Sequence, residues 1–347
     1  MKNRRALHWT AGLAAAGVIA LWGAERTSAA TITGQNGWSV QSYANVLAGS
    51  QGSFGGTGVT DGGAPVGNGV DGHDHTFTQL RDESTQNVYD AYFEYVASQP
   101  FKAGTVITWR PNDARVTGNA IVSLGGTVVQ DLPDADTTIT ATPLANPIET
   151  DTLRIAYPNG LGTYNASLYA SDLTEAQIFP DALTPIAGVA IGGYSPVWWG
   201  GTPARMIDGK VMNGWCPSAA ADRYVVLDIP GDPTIGAIVL AADLGTDPID
   251  LQFWDGSQYV TFAHVEYEAN EIFALRVPAG IQTSQIRFTL GNGPDTQVCY
   301  EAMFFEVSTV PEPSVACLLL CGSGVLLRGG RRGGRGARPW ERSGKLA

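Results

Sequence analysis

Histidine and cysteine are scarce in this sequence, with four of each among 347 residues. Three histidines lie beyond the first thirty residues: His73, His75 and His264. None of them sits in a nucleophile or zinc motif. There is no G-x-S-x-G elbow, no H-E-x-x-H, no P-loop and no dinucleotide fingerprint. The thirty acidic residues of the interior could contain a carboxylate pair suited to glycoside hydrolysis, but no spacing marks one out. The reading is therefore of a protein that is not an enzyme. Basic charge is scarce where a core would lie. Of 21 Lys and Arg, four fall in the first thirty residues and seven beyond Val310, leaving 10 between. Of 33 Asp and Glu, all but Glu25, Glu312 and Glu341 fall in that interior, leaving 30 and a net charge there of −20. So acidic a surface argues against nucleic acid and anionic membranes as partners and favours divalent cations or neutral ligands. Long apolar runs are missing too. The stretches from Ala11 to Trp22 and from Val315 to Leu327 fall short of the roughly 20 residues that span a bilayer comfortably.

What is present at the ends reads as addressing. Lys2, Arg4 and Arg5, the apolar stretch and Ser28-Ala29-Ala30 make residues 1–30 a signal peptide. The paired arginines leave export by the general or the twin-arginine route open. Near the other end, Val310-Pro311-Glu312-Pro313-Ser314 precedes the second apolar stretch, and Arg328, Arg331, Arg332, Arg335 and Arg338 follow it. A short apolar segment closed by arginines would pause in the inner membrane with the arginines on the cytoplasmic side. This ending, residues 310–347, resembles the PEP-CTERM sorting signal of Gram-negative, biofilm-forming bacteria. The resemblance implies recognition by an exosortase-type membrane protease, with Pro311, Glu312 and Pro313 as the sorting motif. It also implies transient inner-membrane anchoring through a hydrophobic sorting helix, then release to the cell surface or extracellular matrix. A plain C-terminal anchor is the alternative.

The interior alternates short β-branched and aromatic runs with Gly, Pro, Asn and Asp, the pattern of an all-β sandwich. Strands are expected at Tyr92–Val96, Thr105–Trp109, Ile121–Leu124, Tyr224–Ile229, Ile235–Leu240 and Leu251–Trp254. A helical fragment is expected from Ser171, where Ser171-Asp172-Leu173-Thr174-Glu175 has capping character. The order of features occurs twice. Tyr92–Val96 matches Tyr224–Asp228, and Gly104–Ile107 matches Gly236–Val239. The Gly125-Gly126 turn matches Asp255-Gly256, and Asp71-Gly72 matches Asp208-Gly209. Leu153-Arg154-Ile155 matches Ile286-Arg287-Phe288, and Tyr164-Asn165-Ala166 is matched to Tyr300-Glu301-Ala302. Two sandwiches follow, over 35–178 and 185–308, the first the more degraded, with a Gly-rich loop from Gly49 to Gly72. Asp255-Gly256 is read as a type I′ hairpin turn.

In the second copy, Ala204-Arg205-Met206-Ile207-Asp208-Gly209 followed by Trp215 resembles the opening of discoidin domains, the coagulation-factor type C modules. Trp254-Asp255-Gly256-Ser257-Gln258-Tyr259 and Tyr300–Val307 are similar to that family's hairpin and closing strand. The resemblance implies a galactose-binding-like fold, here tandem antiparallel jelly-roll β-sandwiches. It implies Asp208 and Glu301 as ligands of a structural Ca²⁺, a hard cation suited to oxygen donors; His73-Asp74-His75 is a weaker, transition-metal alternative. The family's disulfide between domain ends is not evident. Cys216 and Cys299 form an even pair in an oxidising compartment and are expected to bond, closing about 84 residues for roughly 4 kcal/mol. Two buried thiols are the alternative. Tyr194, Trp198 and Trp199 sit in a Gly/Pro-rich loop before the Asp-Gly motif and are the expected recognition surface, since flat aromatics cover sugar C–H faces. The functional expectation is an exported surface or matrix protein binding extracellular polysaccharide. The alternative is a structural or adhesive surface protein making protein contacts without sugar.

Overall fold

The structure, a computed structural model, describes residues 30–56, 59–60, 66–71, 78–82, 90–110, 119–133, 139–165, 168–197, 201–210, 214–218, 223–243, 248–266, 271–291 and 298–307. The leader, the sorting segment from Pro311 onward, His73, His75, Trp198 and Trp199 lie outside these residues. Among the described residues no helix is long and apolar enough to cross a membrane.

The described residues are almost entirely strand, with two 3-10 turns, Val66–Val70 and Pro203–Met206. The first strands are β1 (Thr31–Gly34), β2 (Gln41–Ser42), β3 (Gln51–Gly55), β4 (Val59–Thr60), β5 (Thr78–Asp82), β6 (Ala91–Trp109), β7 (Ala120–Leu124), β8 (Thr127–Leu132), β9 (Ile139–Tyr157), β10 (Gly162–Asn165), β11 (Leu168–Leu173) and β12 (Glu175–Phe179). There follow β13 (Leu183–Pro185), β14 (Ala190–Tyr194), β15 (Arg223–Asp228), β16 (Thr234–Asp243), β17 (Ile249–Trp254), β18 (Tyr259–Glu266), β19 (Glu271–Gln282), β20 (Gln285–Leu290) and β21 (Val298–Val307). All pairings are antiparallel. The second sandwich packs the sheet β1-β18-β17-β20-β15-β14 on the sheet β13-β21-β16-β19-β2. Its period-two strands are legible in the burial: Val225 and Leu227 point into the core, as do Leu251, Ile286 and Phe288.

The first copy repeats this plan with two strands run together. The start of β6 pairs with the end of β9, as β15 pairs with β20. The end of β6 pairs with the start of β9, as β16 pairs with β19. Phe93 and Val106 face the first core where Val225 and Ile238 face the second, at the same separation along the chain. A bulge falls beside Gly104 in β6 and beside Gly236 in β16. A separate small sheet, β10-β11-β5-β4, adds Leu80 and Leu173 to the first core.

A third apolar cluster joins the two sandwiches. Ile107, Trp109, Ile139 and Phe179 of the first meet Ala237, Val239, Ala241, Ile272, Ala274 and Phe305 of the second. The sheet carrying β16 is therefore buried on both faces, with Ile238, Leu240 and Ala242 in one core and Ala237, Val239 and Ala241 in the other. That is why Ile235–Ala242 reads as a near-continuous apolar run rather than an alternation.

Four expectations are corrected here. The segment from Ser171 is strand, not helix: Ala176 and Ile178 enter the first core while Phe179 enters the shared one, a period-two demand that overrides the local cap signal. Gln41 and Ser42, within the 35–178 span expected for the first sandwich, pair as β2 with β19 of the second, and β1 just before them pairs with β18. Asp255-Gly256 is not a type I′ turn, since only Gly256 has positive φ, at 98°. Asp255 Oδ1 instead accepts from the Ser257 and Gln258 N–H groups at 2.8 Å each, closing a four-residue loop between paired Trp254 and Tyr259. The type I′ geometry belongs to the first copy, where Gly125 and Gly126 have φ of 54° and 84°. The fourth correction concerns the repeat. The counterpart of β21 is β12, because Glu175 pairs with Trp109 as Glu301 pairs with Ala241, and Trp109 and Ala241 hold equivalent positions in β6 and β16. Glu175-Ala176-Gln177-Ile178-Phe179 thus matches Glu301-Ala302-Met303-Phe304-Phe305, and Asn165 is not the partner of Glu301.

Candidate functional site

The 3-10 turn Pro203–Met206 lies against β14 and β21 and delivers Asp208 beside Glu301. Met206 is fully buried and fixes the turn to the core. Asp208 Oδ1 accepts from Lys210 N–H at 3.0 Å, and Gly209, at a φ of 72°, aims its N–H at Glu301 Oε2, 3.2 Å away. The carbonyl of Gly209 accepts from Ile139 N–H of the first sandwich at 3.2 Å. Glu301 is 4% exposed. Burial, and then the nearby Asp208 carboxylate, push its pKa up to about 9, against partial relief from the Gly209 and Asp208 N–H groups. Burial also raises Asp208, offset by the Lys210 N–H and charge and by Arg205. A buried Glu301 carboxyl with the exposed Asp208 carboxylate beside it favours either a retained proton or a bound cation. Hard oxygen donors of this kind suit Ca²⁺. Among the described residues no group of three His, Cys, Asp or Glu side chains converges on a metal position.

Tyr194 ends the edge strand β14 and is 52% exposed. The chain is clipped just after it: Ser195 N–H donates to Tyr224 O at 2.9 Å, and Tyr224 N–H donates to Ser195 Oγ at 3.2 Å. Val197, just before Trp198 and Trp199 in the sequence, bridges to Pro217, and Ser218 N–H donates to Pro196 O at 2.8 Å.

The first copy holds an equivalent arrangement that sequence matching missed. Tyr194 pairs with Val225, and Phe54 pairs with Phe93, the first-copy counterpart of Val225. Phe54 is the exposed aromatic of that edge strand, at 37%. The 3-10 turn Val66–Val70 lies against β3 and β12, as Pro203–Met206 lies against β14 and β21, and it ends at Asp71 as the later turn ends near Asp208. Asp71 and Glu175 both bear electrostatically on the buried Tyr95 hydroxyl, so the acid pair recurs. The signal lay in Glu-Ala at 175–176 and 301–302, which stand closer together along the chain than the other matched pairs do. Phe54 was hidden inside a Gly-rich stretch that read as loop.

Cys216 and Cys299 are held as two thiols rather than as the expected disulfide. Both are buried, and Trp215 and Cys299 exchange main-chain hydrogen bonds at 2.8 and 3.0 Å. Those bonds already fix the loop that a disulfide would close. Burial, with Cys216 nearby, raises the Cys299 thiol well above its ordinary range. Thiols in that state are poor nucleophiles. Once the segment carrying Cys317 and Cys321 is removed, the native protein is therefore expected to leave a thiol reagent unreacted until it is denatured, and reductant is expected to leave its melting temperature unchanged. Two thiols reacting at once under native conditions would refute this.

On the outer face of the second sandwich the polar groups are consumed by one another. The Arg287 guanidinium sits 4.3 Å from the Tyr259 ring centroid, and its Nε donates to Gln252 Oε1. Tyr259 Oη donates to Gln285 Oε1 at 2.7 Å, and Gln285 Nε2 donates to Asp228 Oδ1 at 2.8 Å. That face is a bracing network across β15, β20, β17 and β18. Phe54 and Tyr194, by contrast, are the exposed aromatics among the large hydrophobic side chains of the described residues.

These features define a tandem pair of antiparallel β-sandwiches, each carrying an edge-strand aromatic and a 3-10 turn followed within two residues by an aspartate. No family model matches the chain, and no curated protein matches it. Among solved structures the chain is similar to a fucolectin from the serum of striped bass, Morone saxatilis, at 10% identity over 76% of this chain and 98% of that one, with a TM-score of 0.32. It is similar to the CBM32-1 and CBM32-2 domains from Clostridium perfringens ZmpB at 10% identity over 80% and 100%, with a TM-score of 0.31. It is also similar to the family 32 CBM from C. perfringens NanJ in complex with galactose at 13% identity over 40% and 99%, with a TM-score of 0.32.

Proposed function

We propose that this is an exported, non-catalytic protein of the cell surface or extracellular matrix whose two sandwiches bind extracellular polysaccharide. The observation that carries the reading is the repetition of Phe54 and Tyr194. Two exposed aromatics occupy the same edge-strand position in two copies whose sequences have otherwise diverged. Exposed aromatics held this way suit sugar C–H faces, and the interior charge of −20 suits a neutral polymer over an anionic one. Tyr194 with Trp198 and Trp199 forms the recognition surface of the second sandwich, and Phe54 contributes to that of the first. Asp208 and Glu301 hold a structural Ca²⁺ that stiffens the turn beside Tyr194. The leader ahead of β1 directs export, and Pro311-Glu312-Pro313 with the segment behind it directs sorting by an exosortase-type protease after a transient stop in the inner membrane.

Retention of the exported protein on a panel of polysaccharides, including the matrix of the source cells, tests this. Tyr194→Ala and Phe54→Ala are each expected to weaken retention about tenfold, equivalent to ~1.4 kcal/mol, with melting temperatures unchanged because both side chains are exposed. The double variant is expected to lose more than either alone, since two linked sites act through effective concentration. Absence of retention on every polymer, with sugar-independent self-association on size exclusion, would replace this reading with an adhesive one.

A further inference from the structure

The described fold begins at Ala30, whose main-chain nitrogen donates to Glu271 Oε1 at 2.8 Å. Both residues are buried, at 6% and 4% exposure. Neither end of this contact is free to drift. Thr31, the next residue, pairs with Glu266 at the start of the β1–β18 ladder. Glu271 opens β19 and pairs with Ala242 of β16. Ala30 and Glu271 line one cavity of about 250 Å³ that also takes in Asp71 and Glu175. Three carboxyl groups thus share a partly closed space at the point where the leader joins the fold. Glu175 and Glu271 are buried, and a buried carboxylate gains from a positive charge held close to it. An amide N–H at residue 30 offers only a dipole, whereas an α-ammonium at the same position offers a full positive charge.

Two bonds fit the small-residue rule for leader removal. Ser28 and Ala30 flank the approach to the Ala30–Thr31 bond, and Thr27 and Ala29 the approach to the Ala29–Ala30 bond. Cutting the first would discard the nitrogen that meets Glu271. We infer that the leader is cut between Ala29 and Ala30 and that the new α-ammonium becomes the buried counter-ion of Glu271. Hydrolysis adds one water across that peptide bond: Ala29 departs with a carboxylate, and the Ala30 nitrogen leaves as an ammonium with the remaining protons. The precursor, still an amide at this position, lacks the ion pair, so the protein gains stability at the moment of processing. This inference rests on the export reading above.

Mass spectrometry of the N-terminus of the full exported protein is the first measurement. A chain beginning at Ala30 is expected. One beginning at Thr31 overturns the inference and leaves export intact, whereas exported chains still beginning at Met1 overturn the inference and the leader together. The second measurement compares chains beginning at Ala30 and at Ala29, each running to the native C-terminus. The Ala29 form, with its amine displaced by one residue, is expected to have a folding equilibrium constant at least about tenfold smaller, as breaking a buried ion pair implies. In a Glu271→Gln background the two lengths are expected to be equally stable. Equal stability in the wild-type background overturns the ion pair. Should Glu271→Gln fail to fold, reductive methylation decides: the Ala30 amine is expected to resist labelling in the native protein, and rapid labelling overturns the pairing.

Discussion

Replacing Trp109 with alanine is expected to destabilise both sandwiches together, by about 3–5 kcal/mol, seen as one thermal transition moved down by about 10 °C. Trp109 ends β6, is fully buried, and lies in the cluster shared by the two sandwiches. Its indole N–H donates to Gln177 Oε1 at 3.1 Å in a buried setting, so truncation leaves both a cavity and an unsatisfied amide oxygen. The loss is expected to spread because the sheet carrying β16 belongs to two cores at once. The chain also crosses between the sandwiches, since β1 and β2 join the second before β3 begins the first. A fragment of residues 183–307 alone would lack β1 and β2 and expose Ala237, Val239, Ala241, Ile272, Ala274 and Phe305. It is expected to aggregate rather than fold. Two separate transitions in the wild type, with only one moved by Trp109→Ala, would refute the coupling.

Strands with one wet face were readable from sequence because alternation announces them. Leu251, Gln252 and Phe253 fall on opposite sides of β17 as the pattern requires: Leu251 is buried, Phe253 packs on the core, and Gln252 reaches Thr261 and Arg287. The repeat was readable wherever the two copies keep one spacing, as Gly104–Ile107 and Gly236–Val239 do. It failed at the last strand because the first copy carries the β10–β11 hairpin before β12, which shortens the offset between the copies from there on. That single slip hid Glu175 and made the first copy look as if it lacked its acid. The long-range crossing of β1 and β2 left no mark either. Such short strands carry too little pattern to say which sheet they join, and their partners lie at the far end of the chain, in β18 and β19. Local cap chemistry at Ser171 was real as chemistry but lost to the demand for apolar residues on both faces of β12. Asp208 and Glu301, by contrast, were legible as a pair, and the structure adds the burial of Glu301 that makes its protonation a handle on stability.

That handle leads to the largest expected effect of pH. A glutamate in the unfolded chain titrates near 4.3, whereas Glu301 in the fold is pushed up to about 9. Between these values the folded state holds a proton that the unfolded state has released. Stability from this group is therefore complete below the lower value, falls by about 1.4 kcal/mol per pH unit through the window, and is lost by the upper one. The raised Asp208 acts in the same direction. Glu301→Gln keeps an oxygen to accept from Gly209 N–H and has no proton to lose. Without divalent metal, the variant is expected to exceed the wild type by about 2–4 kcal/mol at pH 8 and to equal or fall below it at pH 4. Calcium is expected to close most of this gap, because a bound cation replaces the proton and lets both carboxyl groups ionise. At a free concentration 100 times its dissociation constant it would stabilise the wild type by about 2.7 kcal/mol and leave Glu301→Gln unmoved. Urea unfolding at pH 4, 6 and 8, with millimolar CaCl2 or with chelator, reads all of these differences. A calcium shift of equal size in the variant would place the ion elsewhere, and a wild-type stability that does not fall from pH 5 to 8 in chelator would show that Glu301 is not held as the geometry of Asp208, Gly209 and Glu301 requires.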